Sequence, residues 1–463
     1  MSLPVPIGRQ RDVLYLPTEG HFVVLGTAGS GKTTLAILRS AYLGNPGTTG
    51  GGKTLLVTFN RALVAYLKHL HDPTLMNVVV ENYHKFARGY LASRGKIGRN
   101  TICGPELKSD LIRNALNNID PQKRQSPPIH KTAAFLETEI EWMERQGIAS
   151  LQDYRQTERV GRAASLDLTS RDFVYRVYES YLTERVNAGK EYDWDDIAGA
   201  VNGALSSDTT HRVYRHVVID EGQDFSPQMI RSLAGAIPPD GSLTLFGDMA
   251  QQIYGRRISW KSAGLKINRV WEFKENYRNT KQIAALGLAI SAMPYFKDTP
   301  DMVAPVEPKA DGPLPALVRC ASTAKEFEMV RSLTSQAVST QTVAVLFRRR
   351  EMEATIARLL PRGSVRLHRE LTTWQAGPKV YYGTYHAAKG LEFDTVLLPL
   401  LSDEYLPDPE DITSLGVDEA TSGDGKLLYV GVTRAKTRLV MTYSGNRSPL
   451  LPVSTSLYQQ ESA

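Results

Sequence analysis

The chain has 463 residues, 42% of them apolar, with 55 Lys and Arg against 49 Asp and Glu and a formal net charge of +6. That length suits about three domains with a sizeable buried core, and the apolar stretches are short and broken by charge, which excludes a membrane-crossing helix of about 20 residues. Cys103 and Cys320 lie far apart and outside any CxxC or Cys/His cluster, which argues against a disulfide framework or a zinc site and suits a reducing cytoplasm. The opening MSLPVPIGRQ has no targeting character. The basic excess suits a polyanionic partner and ordinary solubility about equally.

In chain order, residues 22–25 form an apolar run before the loop GTAGSGKT at 26–33 and the helical pattern TTLAILRSAYL. The loop fits GxxxxGK[ST], in which glycines let backbone N–H groups close around phosphate oxygens, Lys32 reaches the β- and γ-phosphates and Thr33 gives its hydroxyl to Mg2+. Gly26, Thr27, Ala28, Gly29, Ser30, Gly31, Lys32, Thr33 and Thr34 are the expected contacts to ATP. Further strands are expected at 55–59 and 78–80. From about 88 to 210 the pattern turns to charged helices dotted with aromatics, such as FLETEIEWMERQGI, and reads as a helical insertion. A strand at 217–220 ends in adjacent acids, with Asp220 placed to hold Mg2+ and Glu221 to act as general base on the attacking water.

A strand is expected at 243–246, an exposed Pro-rich connection at 298–315, and strands at 343–347 and 395–399. The pattern is α/β, with parallel sheets that place their sites at the carboxyl ends of strands. Phosphoryl transfer also needs cations and polar sensors at the γ-phosphate. Gln251, Arg278 in ENYRN and Arg434 in VTRAK are the candidates, although composition alone makes each a solvated surface residue.

The blocks GTAGSGKT, TFNRA, YHKF, VVIDEGQD, LFGDMAQQIYG, ENYRN, TYHAAKGLEF and YVGVTRAK resemble, in order, those of the UvrD/Rep/PcrA family of superfamily 1 helicases, from Gln10 to about Thr442. The resemblance implies two RecA-like P-loop domains with ATP between them. The first, 1A, would comprise 1–87 and 211–270, interrupted by a 1B-type helical insertion at 88–210; the second, 2A, would be 271–463. It implies Arg278 and Arg434 as arginine fingers, Gln251 as a γ-phosphate sensor, Tyr277 stacked on adenine, Glu392 on the ribose, and Gln10 on the adenine edge at a spacing one residue longer than expected.

For a single DNA strand the resemblance implies Phe59, Asn60, His84, Tyr254 and Arg256 from the first core and Thr384, His386 and Lys389 from the second, with bases stacked on aromatics along a polar or cationic groove. Arg256 stands where the family often has Trp and can stack through its guanidinium plane. Only 33 residues lie between Arg350 and Thr384, too few for the family's 2B subdomain.

The implied activity is ATP- and Mg2+-dependent 3′-to-5′ movement on single-stranded or tailed duplex DNA. One alternative is a DNA-stimulated sensor ATPase beside a nuclease or repair factor, in DNA repair or anti-phage defence. Another is an RNA-directed helicase. No membrane partner is expected.

Overall fold

Short apolar runs make the strands, and alternate side chains along them enter different cores. The computed structural model describes residues 6, 9–27, 29–58, 75–122, 128–159, 162, 164–248, 263–273, 279–296, 308, 310–336, 341–368 and 379–463. Ala28, Phe59, Asn60, Gln251, Tyr254, Arg256, Tyr277 and Arg278 lie outside these residues.

Strands β1 (Gly20–Gly26), β2 (Thr54–Thr58) and β3 (Val78–Asn82) come first. Among the described residues, the helical stretch that follows holds only a two-residue pair of strands, β4 (Ile102–Cys103) with β5 (Tyr192–Asp193). Then come β6 (His216–Ile219), β7 (Ser242–Gly247) and β8 (Val270–Phe273). The first sheet runs β3-β2-β6-β7-β1-β8, every neighbour parallel.

A second parallel sheet is built from β9 (Ala316–Cys320), β10 (Val343–Phe347), β11 (Val365–Arg366), β12 (Val380–Thr384), β13 (Phe393–Leu398), β14 (Ala435–Ser444) and β15 (Gln459–Ser462). Its order is β11-β12-β10-β13-β14-β9-β15. The strands expected at 22–25, 55–59, 78–80, 217–220, 243–246, 343–347 and 395–399 coincide with β1, β2, β3, β6, β7, β10 and β13.

A parallel sheet must be covered on both faces. In the first, Val24, Leu56, Val218 and Phe246 pack with Leu35 and Ile37 of the helix Lys32–Gly44. Their sequence neighbours Leu25, Leu55, Val217 and Leu245 pack on the opposite side with Ile230 and Leu233. The second sheet repeats the alternation, with Ala344, Val396 and Met441 on one face and Val345, Leu397 and Val440 on the other. These are two RecA-like α/β domains.

The helical stretch has a core of its own, including Ile112, Leu136, Ile140, Val174 and Tyr181. Its bordering helices Tyr83–Ser93 and Ile197–Ser207 pack into the first domain's core instead. Both cysteines are buried and free. Among the described residues no helix is long and apolar enough to cross a membrane.

His216 is buried in β6, with Nδ1 2.9 Å from Ser242 Oγ and Nε2 2.9 Å from the Gly50 carbonyl. Burial, aided by Arg215 and Arg39 and opposed by the Gly50 carbonyl, pushes its pKa down to about 4. Between its ordinary value of about 6.5 and that lower one, the unfolded chain takes up a proton that the folded chain refuses. The site's contribution to stability is therefore complete above the ordinary value and is lost as pH falls through the folded one. Urea unfolding followed from pH 7 to pH 4 should show that fall, and His216→Gln should make it shallower.

Candidate nucleotide site and nucleic-acid interface

β1 delivers its last residue, Gly26, to a loop that turns into the helix Lys32–Gly44 through Gly31. Gly29 and Gly31 have φ of 80° and 82°, left-handed values that glycine adopts without a Cβ clash. A Cβ on Gly26 would stand 2.5 Å from Ser30 Oγ, so the backbone of this turn is closely packed. Lys32 Nζ donates to the carbonyls of Gly26 at 2.9 Å and Thr27 at 2.6 Å, and lies 3.6 Å from the Asp248 carboxylate. The hydroxyls of Thr27 and Ser30 are buried without hydrogen-bond partners, as polar groups awaiting phosphate oxygens would be.

Gln10 sits on the short helix Arg9–Leu14, and its Nε2 donates to the Ser30 carbonyl at 3.4 Å. Arg39, fully buried, anchors this part of the chain by donating to the carbonyls of Leu14, Leu16 and Pro17. That anchoring brings Gln10 against the phosphate loop despite its longer spacing in sequence.

Across the sheet, with β7 between it and β1, β6 ends at the two acids. Burial and then the neighbouring Glu221 push Asp220 up to about 7, against the pull of the Thr33 side-chain hydrogen bond and Lys32. Asp220 Oδ2 is buried with no hydrogen-bond partner. A buried carboxylate oxygen left open beside a Thr hydroxyl is a donor set that fits a hard divalent cation such as Mg2+.

Glu221 has φ 54° and ψ 43°, a left-handed conformation that is uncommon for a residue with a Cβ and characteristic of functional turns. Burial alone would raise its pKa. Lys389, Lys32 and Arg434, with the Gln223 hydrogen bond, instead hold it below the usual Glu value, so it is a carboxylate at neutral pH. Gln223 Nε2 donates to Glu221 Oε2, and its Oε1 accepts the Asp248 N–H at 2.9 Å.

The second domain supplies the facing cations. Arg434 caps the helix Val417–Thr433 and is 1% exposed, donating to the carbonyls of Val430 at 3.1 Å and Leu391 at 3.2 Å. Asn279, directly after the expected finger Arg278 in sequence, donates to the Thr433 carbonyl at 3.3 Å.

Lys389, expected at a DNA strand, is turned toward the acids of the first core. Its ammonium is buried in an ion pair with Asp224 and acts on Glu221 as well. Two buried carboxylates in one cleft need a counter-charge, because an unpaired buried charge is costly. The turn after β12 supplies one. Thr384 Oγ1 accepts the Ala387 N–H at 3.3 Å, His386 is half-buried in the same turn, and Glu392 is exposed just beyond it. His84, on the helix Tyr83–Ser93, has Nε2 3.2 Å from the Trp194 carbonyl and its ring edge-on to Trp194.

Sequence reading missed Gln223, Asp224 and Asp248, although they lie inside the blocks DEGQD and GDMAQ, where their proximity to the acids was the available signal. Arg145, from the helical insertion, donates to the Asp224 carbonyl at 2.9 Å and had no signal in sequence.

Two RecA-like cores, with a P-loop on one central strand and paired acids on another, define a two-core P-loop nucleotide-binding protein. The chain belongs to the UvrD/REP helicase family: the pattern of the UvrD/REP helicase N-terminal domain matches residues 8–271, and that of the UvrD-like helicase C-terminal domain matches 356–446. It is similar to a probable DNA helicase of Mycoplasma pneumoniae, 24% identical over 91% of this chain and 80% of that one. ATP-dependent DNA helicase UvrD1 of Mycobacterium tuberculosis is 26% identical over 59% of this chain and 36% of its own. ATP-dependent DNA helicase PcrA of Staphylococcus epidermidis is 27% identical over 58% and 35%. The matches therefore span about a third of the UvrD1 and PcrA proteins.

Proposed function

We propose that the chain is an ATP-driven translocase on single-stranded DNA, moving 3′ to 5′. The observation that carries this reading is the cleft itself, where Lys389 of the second core pairs with Asp224 beside Glu221 in the first, and Lys389 and Arg434 both act on the charge of Glu221. Movement of one core on the other thus alters the charge around the catalytic acid.

In this reading Gln10 reads the adenine edge, Tyr277 stacks on the ring and Glu392 holds the ribose. Lys32, Gln251, Arg278 and Arg434 stabilise the charge that builds up on the transferring phosphoryl group. Thr33 and Asp220 would hold Mg2+, which when bound neutralises charge on the β- and γ-phosphates. Glu221 accepts the proton of the attacking water. ATP binding closes the cores and hydrolysis reopens them. Alternating grip by Phe59, Asn60, His84, Tyr254 and Arg256 on one side, and Thr384 and His386 on the other, advances the strand. The domain arrangement proposed is 1A at 1–87 and 211–270, 1B at 88–210 and 2A at 271–463.

ATP hydrolysis by the purified chain, measured with and without oligo(dT), tests the reading; a rate that DNA leaves unchanged would falsify it. A second reading is a DNA-stimulated sensor ATPase that does not unwind processively. It is favoured by the short connection from Phe347 at the end of β10 to Val380 at the start of β12, which leaves no room for a 2B-sized domain. Strand displacement on a 3′-tailed duplex separates the two: DNA-stimulated hydrolysis with no displaced strand supports the sensor.

A further inference from the structure

The helical insertion belongs to the first domain by chain connection, yet it also touches the second. Arg162, with a side chain 9% exposed, lies between two carboxylates. Its Nε donates to Glu139 Oε2 at 2.9 Å, and its Nη1 is 3.0 Å from Glu419 Oε1 in the second domain. The Ala164 N–H donates to the other Glu419 oxygen at 3.3 Å, and Thr132 Oγ1 donates to the Ser414 carbonyl at 2.8 Å. Glu139 is fully buried and is also held by Arg159 and Tyr154, so the insertion's end of this chain of charges is rigid.

Both ends lie on elements that run on to the catalytic cleft. Glu139 is on the helix Ala133–Gln146, whose last turn carries Arg145 and its bond to the Asp224 carbonyl. Glu419 is in the first turn of the helix Val417–Thr433, whose C-cap is Arg434. A helix of that length spans about 25 Å as a stiff rod, so a shift at Glu419 is carried to Arg434. The helix Pro409–Leu415 packs on Ala133–Gln146 beside the ion pairs and closes the contact.

We propose that the Glu139–Arg162–Glu419 chain is a positioning device for ATP hydrolysis: it docks the insertion onto the second core and so fixes where Arg434 stands relative to the catalytic acids. This rests on the reading of Glu221 as general base and Arg434 as finger. Neither Arg162 nor Glu419 is assigned contact with nucleotide or DNA. They act through Arg434, and the misplacement of a catalytic group by about 1 Å is enough to cost up to a hundredfold in rate.

The test is steady-state ATP hydrolysis by the full chain at saturating oligo(dT). Glu419→Gln and Arg162→Met should each lower kcat about tenfold while KM for ATP stays within about twofold, because the defect is in the transition state and not in binding. The double variant Arg162→Met with Glu419→Met replaces the buried pair by apolar contact, which is often nearly neutral. It should recover kcat to within about threefold of the parent chain.

Singles with unchanged kcat, or a double variant as slow as the singles, overturn the device. So does a fall in kcat that tracks a fall in melting temperature. A parent chain without turnover, or a Glu221→Gln chain that keeps it, overturns the reading of the site and the device with it. Parent turnover that Glu221→Gln abolishes but both single variants leave intact overturns the device alone.

Discussion

Glu221→Gln is expected to slow ATP hydrolysis by about 10²–10⁴-fold, the range that a positioned general base contributes. The amide keeps the shape and can still accept the hydrogen bond from Gln223, but it cannot take the proton of the attacking water. Nucleotide affinity should persist, because the assigned phosphate contacts come from the loop at 26–33 and from Lys32. Hydrolysis measured at saturating oligo(dT), together with titration of a fluorescent nucleotide, separates the two effects. Turnover equal to the parent would remove Glu221 from the role of base.

Lys32→Ala should act on binding first. The ammonium bonds two loop carbonyls and stands near Asp248, so the substitution deletes the cation that would meet the phosphates and leaves that carboxylate without it. Losing a hydrogen bond to a charged group costs about 1.5–3 kcal/mol, or roughly ten- to a hundredfold in affinity. Turnover should fall further still, since the same charge is needed as the phosphoryl group leaves. A nucleotide titration and a hydrolysis assay that both match the parent would show that the loop is not the phosphate cradle.

How much of this was legible in sequence depends on where the determining contacts lie. VAVLF at 343–347 reads as a strand because it is buried on both faces. QQES at 459–462 does not, since the strand is wholly exposed and exists only by pairing with β9 at the sheet edge. β14 opens on buried Ala435, half-buried Lys436 and exposed Thr437 and Arg438 before its apolar run, which hides its start. The phosphate loop and the acids are local features, written in consecutive residues.

Lys389 is the opposite case. The block TYHAAKG shows that a cation follows a strand, but its partner Asp224 lies in the other core, and nothing local tells which side of the turn the ammonium takes. Gln10 is intermediate: its type was legible, while its place against the loop depends on Arg39 holding the chain between them.

The strand order of the first sheet also bears on how the protein is made. β1, which carries the phosphate loop, is flanked by β7 and β8, and both follow the entire helical insertion in sequence. During synthesis at about 5–20 residues per second, β1 therefore waits many seconds without either neighbour. The insertion, with its own apolar core, is complete before that wait ends. The nascent chain thus presents a finished helical unit beside an apolar, unpaired strand, which is the stage at which a chaperone has something to hold and at which slowed translation would favour aggregation.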